Sequence, residues 1–201
     1  MKYDKLLIIT RLWRKSLGTH CLFKRNKLCV SELYSSTKII CSFTISSRCC
    51  KLIEAITGTW NNLNIDENLV FFGAAIHDIG KCIHTNELSE KGHKHEQEGT
   101  SLLISLGVPE EKAKFAAVHA TWSKKSTIEE LVVSLADKIW KGSRIQDLED
   151  LLIEKIASEI KIEHWEIFSL LDSIIENITK DADKRLSFQN NFPLCVEPYS
   201  E

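Results

Sequence analysis

Five of the seven histidines fall between positions 77 and 119: His77, His84, His93, His95 and His119. Histidine interleaved with acids is the composition of a metal site, because neutral imidazole and carboxylate are common protein ligands for zinc, manganese and iron. The sharpest element is Ala74-Ala75-Ile76-His77-Asp78-Ile79-Gly80-Lys81, an adjacent His-Asp pair that ends an apolar helix and is followed at once by Gly80 and Lys81. Neighbours on a helix are rotated by about 100°, so His77 and Asp78 reach one ion only near a helix end or with Asp78 angled across. Burying both without a partner would be costly, so they should meet a cation or a hydrogen bond.

The elements that must position these groups are helical. A first helix is expected from about Arg48 to Trp60, with Cys49, Leu52, Ile53, Ile56 and Trp60 on one face. Asp66 reads as the N-cap of a second helix that carries Leu69, Phe72, Gly73, Ile76 and Ile79 and breaks near Gly80. The polar stretch Thr85 to Lys94 reads as a loop able to close over the site. A helix from His95 to Leu106 is stopped by Gly107, and Pro109 opens another that reaches about Trp122. Thr127 and Glu130 form a capping-box pattern ahead of Ile128, Leu131, Val132, Leu135 and Ile139. Two further helices are expected at Ile145–Ile160 and Ile162–Ile178, and the chain after Leu186 should wander over the surface. The fold class is all-α.

Residues 1–45 show no sustained helical period and have no assignable fold, residues 46–190 form the helical domain, and residues 191–201 are a tail. With 201 residues, 43% hydrophobic and 27% charged, the chain can bury a real core. The net charge of −2 gives no basic field, so neither stable nucleic-acid binding nor an anionic membrane partner is expected. The apolar run Leu6-Leu7-Ile8-Ile9 is too short for a signal core or a membrane span. Seven cysteines without regular spacing read as reduced thiols, which points to a cytoplasmic location.

The segment Ala75-Ile76-His77-Asp78-Ile79-Gly80-Lys81 resembles the signature of the HD superfamily of metal-dependent phosphohydrolases. Ala136-Asp137-Lys138 is similar to that family's distal aspartate, and His95-Glu96-Gln97-Glu98-Gly99 and His119 stand where its binuclear branch has two extra histidines. The resemblance covers about residues 47 to 145 and implies an HD-type helical bundle. It implies His77, Asp78 and Asp137 as ligands of a first metal and His95 and His119 as ligands of a second, with Asp78 bridging. One or two divalent ions (Mn, Fe, Mg, Zn or Ni) would clamp a phosphoryl group and activate water. Asp78 and Lys81 are then the catalytic pair, and Lys81, Lys138, Lys141 and Arg144 the cations available to a small phosphorylated substrate or nucleotide. Lys91 and Lys94 decorate the loop that crosses the site.

Two departures from the family pattern are visible. The family's upstream ligand is a histidine, whereas Ile45-Ser46-Ser47-Arg48-Cys49-Cys50 has none. His20 folding back, Cys49 or Cys50 acting as a thiolate ligand, or a site short of one ligand are the three alternatives. After His119 the chain reads Ala120-Thr121-Trp122, without the Gly-Tyr-Pro of the branch that cleaves cyclic dinucleotides. Two other function classes stay open: an impaired HD module that binds a nucleotide or a protein partner, and a di-iron protein that activates oxygen. Trp122 and Trp140 are either base-stacking groups or core, and His84 and His93 are loop residues that could contact substrate or metal. His164 reads as packing or surface.

Overall fold

Helix periodicity and capping chemistry decide most of the architecture. The computed structural model describes residues 51–88 and 90–190, and every regular element among them is helical. Residues 1–50, with His20, Cys49 and Cys50, and the tail 191–201 lie outside the described residues.

Helix α1 covers residues 51–59 and buries Leu52, Ile53 and Ile56 on one face, with Trp60 just beyond its end. Helix α2, Glu67–Ile76, starts where the Asp66 side chain accepts from the Leu69 N–H, satisfying one of the donors a helix start leaves open. It stops one turn earlier than its apolar pattern predicts. His77 is its C-cap, and Ile79 belongs to a separate 3₁₀ turn, Ile79–Cys82. The His-Asp pair therefore sits on a turn between two helical axes, which frees Asp78 from the 100° constraint of a continuous helix.

Helix α3 spans Lys94–Ser105 and ends at Gly107, whose φ of +83° is the left-handed conformation that favours glycine at such a stop. The helix expected after Pro109 is two single turns, α4 at Glu110–Ala113 and α5 at Phe115–Val118, and His119 caps the second. Helix α6, Ile128–Trp140, begins with the full capping box: the Thr127 side chain accepts from the Glu130 N–H, and the Thr127 N–H donates to the Glu130 carboxylate. All its residues but Glu129 and Lys138 are buried. A helix apolar nearly all round belongs at the centre of a bundle, and α6 packs against α2 and against α7 (Gln146–Ile160) and α8 (His164–Thr179).

Residues 187–190 do not wander but complete α9, Ala182–Asn190. Arg185 secures it by donating to the Trp140 and Ile139 carbonyls in the last turn of α6, where a helix end leaves acceptors short of internal donors. Trp140 is thereby core, not an open stacking platform. Arg144 bridges α7 and α8 by gripping Glu149 through Nε and Nη2 and reaching Asp172 at 2.7 Å.

Two backbone approaches set the position of the chemistry. A Cβ at Gly80 would lie 1.9 Å from the His95 carbonyl oxygen, and one at Gly99 would lie 2.9 Å from the Gly80 nitrogen. The 3₁₀ turn thus lies flat on α3, a closeness no other residue permits. At Gly73 the missing Cβ makes room for the Phe115 ring. One helical turn on from each member of that pair stand His77 and His119, whose rings meet edge to face at 5.1 Å.

A Gly80→Ala variant should lose about 3 kcal/mol or more, at the top of the overpacking range, because its neighbour is backbone and cannot yield. Gly58, exposed in α1 with nothing within 4 Å of the place a Cβ would take, is the control: Gly58→Ala should be neutral or gain up to ~1 kcal/mol. Urea midpoints of the two variants test this, and equal midpoints would show that the Gly80 contact is relaxed.

Candidate metal centre

Four chain segments converge on Asp78. His77 comes from the end of α2, His95 from the first turn of α3, His119 from the end of α5, and Asp137 from the last turns of α6. His77, His95, His119 and Asp137 are all buried, at no more than 5% exposure, whereas the Asp78 carboxylate is one-fifth exposed. Asp78 therefore marks the open side of the cluster.

Each imidazole is fixed by the nitrogen that points away from Asp78. His77 Nδ1 donates to the Ala74 carbonyl at 2.8 Å, and His119 Nδ1 donates to the Ala116 carbonyl at 2.9 Å. A carbonyl can only accept, so in the neutral ring the lone pair is on Nε2. His95 Nδ1 donates to the Glu87 carboxylate at 2.6 Å. That carboxylate also accepts the N–H groups of Lys94 and His95, so one side chain both caps α3 and orients the ring. Gly92 leaves the room that Glu87 fills.

The three Nε2 atoms turn inward. His95 Nε2 lies 3.4 Å and His119 Nε2 3.6 Å from Asp78 Oδ1. On the other side of the carboxylate, His77 Nε2 is 3.6 Å from Asp78 Oδ2 and 3.8 Å from Asp137 Oδ1. These separations are long for hydrogen bonds, and the buried His77 and His95 Nε2 atoms have no hydrogen-bond partner. They suit donors that share an ion, since ligands about 2.0–2.2 Å from a metal stand roughly 3–3.5 Å apart. One donor atom each from Asp78, His95 and His119 lie within 4.8 Å of one another. The residues fit a divalent ion, with an imidazole-rich donor set of intermediate softness.

Three ammonium groups surround the carboxylates. Lys81 Nζ donates to Asp78 Oδ2 at 2.7 Å, and Lys138 Nζ donates to Asp137 Oδ2 at 3.1 Å. Lys141 Nζ lies 2.7 Å from Asp137 Oδ1 as an ion pair without hydrogen-bond geometry. The electrostatics follow. Burial raises the Asp78 carboxyl, but His77, His95, Lys81 and His119 around it outweigh that and hold the group well below the usual range. Asp137 is likewise lowered: burial opposes ionisation, and Lys141, His77 and Lys138 overcome it. Burial pushes His119 down to about 3, helped by His77, so the ring is neutral and open to a metal. His95 is raised despite burial, because Asp78 and Glu87 flank it. Glu87 resists its burial through His95 and the two backbone N–H groups and drops to about 2.

Of the residues named from sequence, the structure gathers His77, Asp78, His95, His119, Asp137, Lys81, Lys138 and Lys141. Arg144 is turned to Glu149 and Asp172 instead, and those contacts raise its pKa, so the expectation of a substrate contact there is corrected. His84 pairs with Glu98 at 2.9 Å, while His93 and His164 are exposed. Trp122 packs against the core. The Thr85–Lys94 stretch is not a free flap: it holds a 3₁₀ turn, Thr85–Leu88, whose Glu87 is buried behind His95. Sequence reasoning missed Glu87. The only available signal was a carboxylate eight residues before His95, and no regular element joins the two positions to make that spacing meaningful.

Residues 45–140 match the family model described as the HD domain. No curated protein and no solved structure matches the chain.

Replacing Glu87 by Gln keeps the shape but removes the charge that orients and polarises His95. Metal affinity should fall about 10–100-fold, the usual effect of losing such an outer partner. Competition against a metal-binding dye would measure it, and an unchanged affinity would show that Glu87 serves only to cap α3.

Proposed function

We propose that the chain, whose residues 45–140 match the HD-domain family model, is a metal-dependent phosphohydrolase acting on a small phosphoester or a nucleotide. One observation carries this reading: three imidazoles, each tied back through Nδ1, aim their Nε2 atoms at the two oxygens of one carboxylate. His77, Asp78 and Asp137 would hold one divalent ion, and His95, His119 and Asp78 another. Bound there, such an ion polarises a phosphoryl oxygen and lowers the pKa of a water.

The remaining work falls to the chain's own side chains. Asp78 and Lys81 are each one-fifth exposed, whereas the other ligands are sealed, so substrate approaches from their side. Lys81, Lys138 and Lys141 stand against the carboxylates Asp78 and Asp137, while the third carboxylate, Glu87, is turned away behind His95. Three ammonium groups facing two carboxylates favour an anionic phosphoester. Lys81 Nζ, on the open rim, offsets charge that develops on the phosphoryl oxygens, and Lys138 and Lys141 bind the rest of the anion. Water attacks phosphorus directly, since the described cluster presents no serine or cysteine nucleophile beside a histidine. With a net charge of −2 for the whole chain, a nucleic-acid polymer is a poor partner.

Elemental analysis of protein purified without chelator, beside an Asp78→Asn variant that removes the carboxylate common to both ion sites, is the first experiment, followed by a phosphoester screen with each divalent ion. Bound metal in the parent and metal-dependent turnover are expected, with Lys81→Ala reducing kcat by about a hundredfold. Bound metal with no turnover on any phosphoester would favour a module that binds nucleotide or partner. An absorption band after aerobic iron loading would favour oxygen chemistry.

A further inference from the structure

The two sides of Asp78 are built differently. On the Oδ1 side stand two imidazoles, His95 and His119, each pinned through Nδ1, one by the Glu87 carboxylate and the other by the Ala116 carbonyl. Glu87 is itself immobilised by the first two N–H groups of α3 and fills the space beside Gly92. The donors on this side are therefore already in place. The Oδ2 side contains His77 and Asp137, but both of its carboxylate oxygens carry an ammonium group at 2.7 Å: Lys81 on Asp78 Oδ2 and Lys141 on Asp137 Oδ1.

These ammonium groups occupy positions a cation would want. Lys141 is the C-cap of α6, where a positive charge also meets the negative end of the helix dipole, and it is one turn beyond Asp137. Lys81 is three residues from Asp78 in the adjoining 3₁₀ turn. Both are tethered, so neither diffuses away when a metal approaches. A divalent ion entering this side meets two like charges at short range, in surroundings that screen less than water. On the other side, among the described ion pairs, no ammonium group stands against Asp78 Oδ1, and the donors facing it are the two imidazoles.

We propose that the two pockets are unequal: the Asp78 Oδ1, His95 and His119 pocket takes one divalent ion tightly, while Lys81 and Lys141 hold the Asp78 Oδ2, His77 and Asp137 pocket against a second. The resting protein then carries one ion per chain. A phosphoester supplies the alternative anion that draws the two lysines off the carboxylates, so a second ion enters with substrate and not before it. Lys81 and Lys141 act as exchangeable counter-ions, moving between carboxylate and phosphate. This inference rests on the metal-centre reading above.

Calorimetric titration of Mn²⁺ into the chelator-stripped full chain tests it without any assay of turnover. One tight site per chain is expected, lost in His95→Ala and retained in His77→Ala. Lys141→Met keeps the apolar stem and leaves Lys138 on Asp137, and Lys81→Met is an independent second variant. Each should strengthen the second ion by about tenfold or more, the equivalent of ~1.4 kcal/mol. Melting curves of each variant verify folding. Two equal sites in the parent, a tight site lost in His77→Ala but kept in His95→Ala, or no gain in either folded lysine variant would each overturn the inequality. Failure of the parent to bind any ion would instead remove the metal-centre reading itself.

Discussion

The metal centre depends on the placement of one carboxylate, Asp78, among three imidazoles that have little access to water. Such a cluster is unfavourable unless each ring has a partner on its outer edge, and each does. Two use backbone carbonyls three residues back along their own segments, and the third uses Glu87. Those outer contacts leave the inner nitrogens no choice of direction. The short helices α4 and α5 and the 3₁₀ turns, which look like interruptions in a helical bundle, present the His77, Asp78 and His119 side chains at angles a continuous helix could not provide.

The bundle around the cluster supplies rigidity in proportion to need. Asp137 rides on α6, the most buried helix described, and the Lys114–Glu130 ion pair fastens the start of α5 to the first turn of α6. The first turn of α6 therefore sets the position of His119 while its last turns set that of Asp137. Arg144, with Glu149 and Asp172, does a separate job by locking α7 to α8 away from the cluster. A buried carboxylate such as Glu149 is costly unless well hydrogen-bonded, and the bidentate grip of Arg144 satisfies that condition.

Much of this was legible in the chain, for physical reasons that can be named. The Asp66 and Thr127–Glu130 caps and the Gly107 stop are local chemistry, and local chemistry survives whatever the tertiary context. The His-Asp-Ile-Gly-Lys run was legible because polar groups ending an apolar helix need a reason. The end of α2 was legible only to within a turn, near Gly80 instead of Ile76, and the break at Lys114 was not legible, since the apolar period runs through it. Residues 187–190 looked like tail because α9 has little apolar face of its own and is held by Arg185 on carbonyls 45 residues away in sequence. Arg144 was misread for a related reason: following the distal aspartate closely in sequence does not say which way a guanidinium turns. Glu87 needed knowledge of a turn that folds back onto α3.

The Gly73–Phe115 contact links distant parts of the chain in heredity as well as in space. The phenyl ring stands where a side chain at position 73 would be, and His77 and His119 follow these two residues by the same one-turn offset. Volume added at one position must be taken from the other, or the two histidines separate. In descendants of this chain the two positions should therefore change as a couple, and a lineage that enlarged one alone would drift out of register at the metal centre long before its core failed.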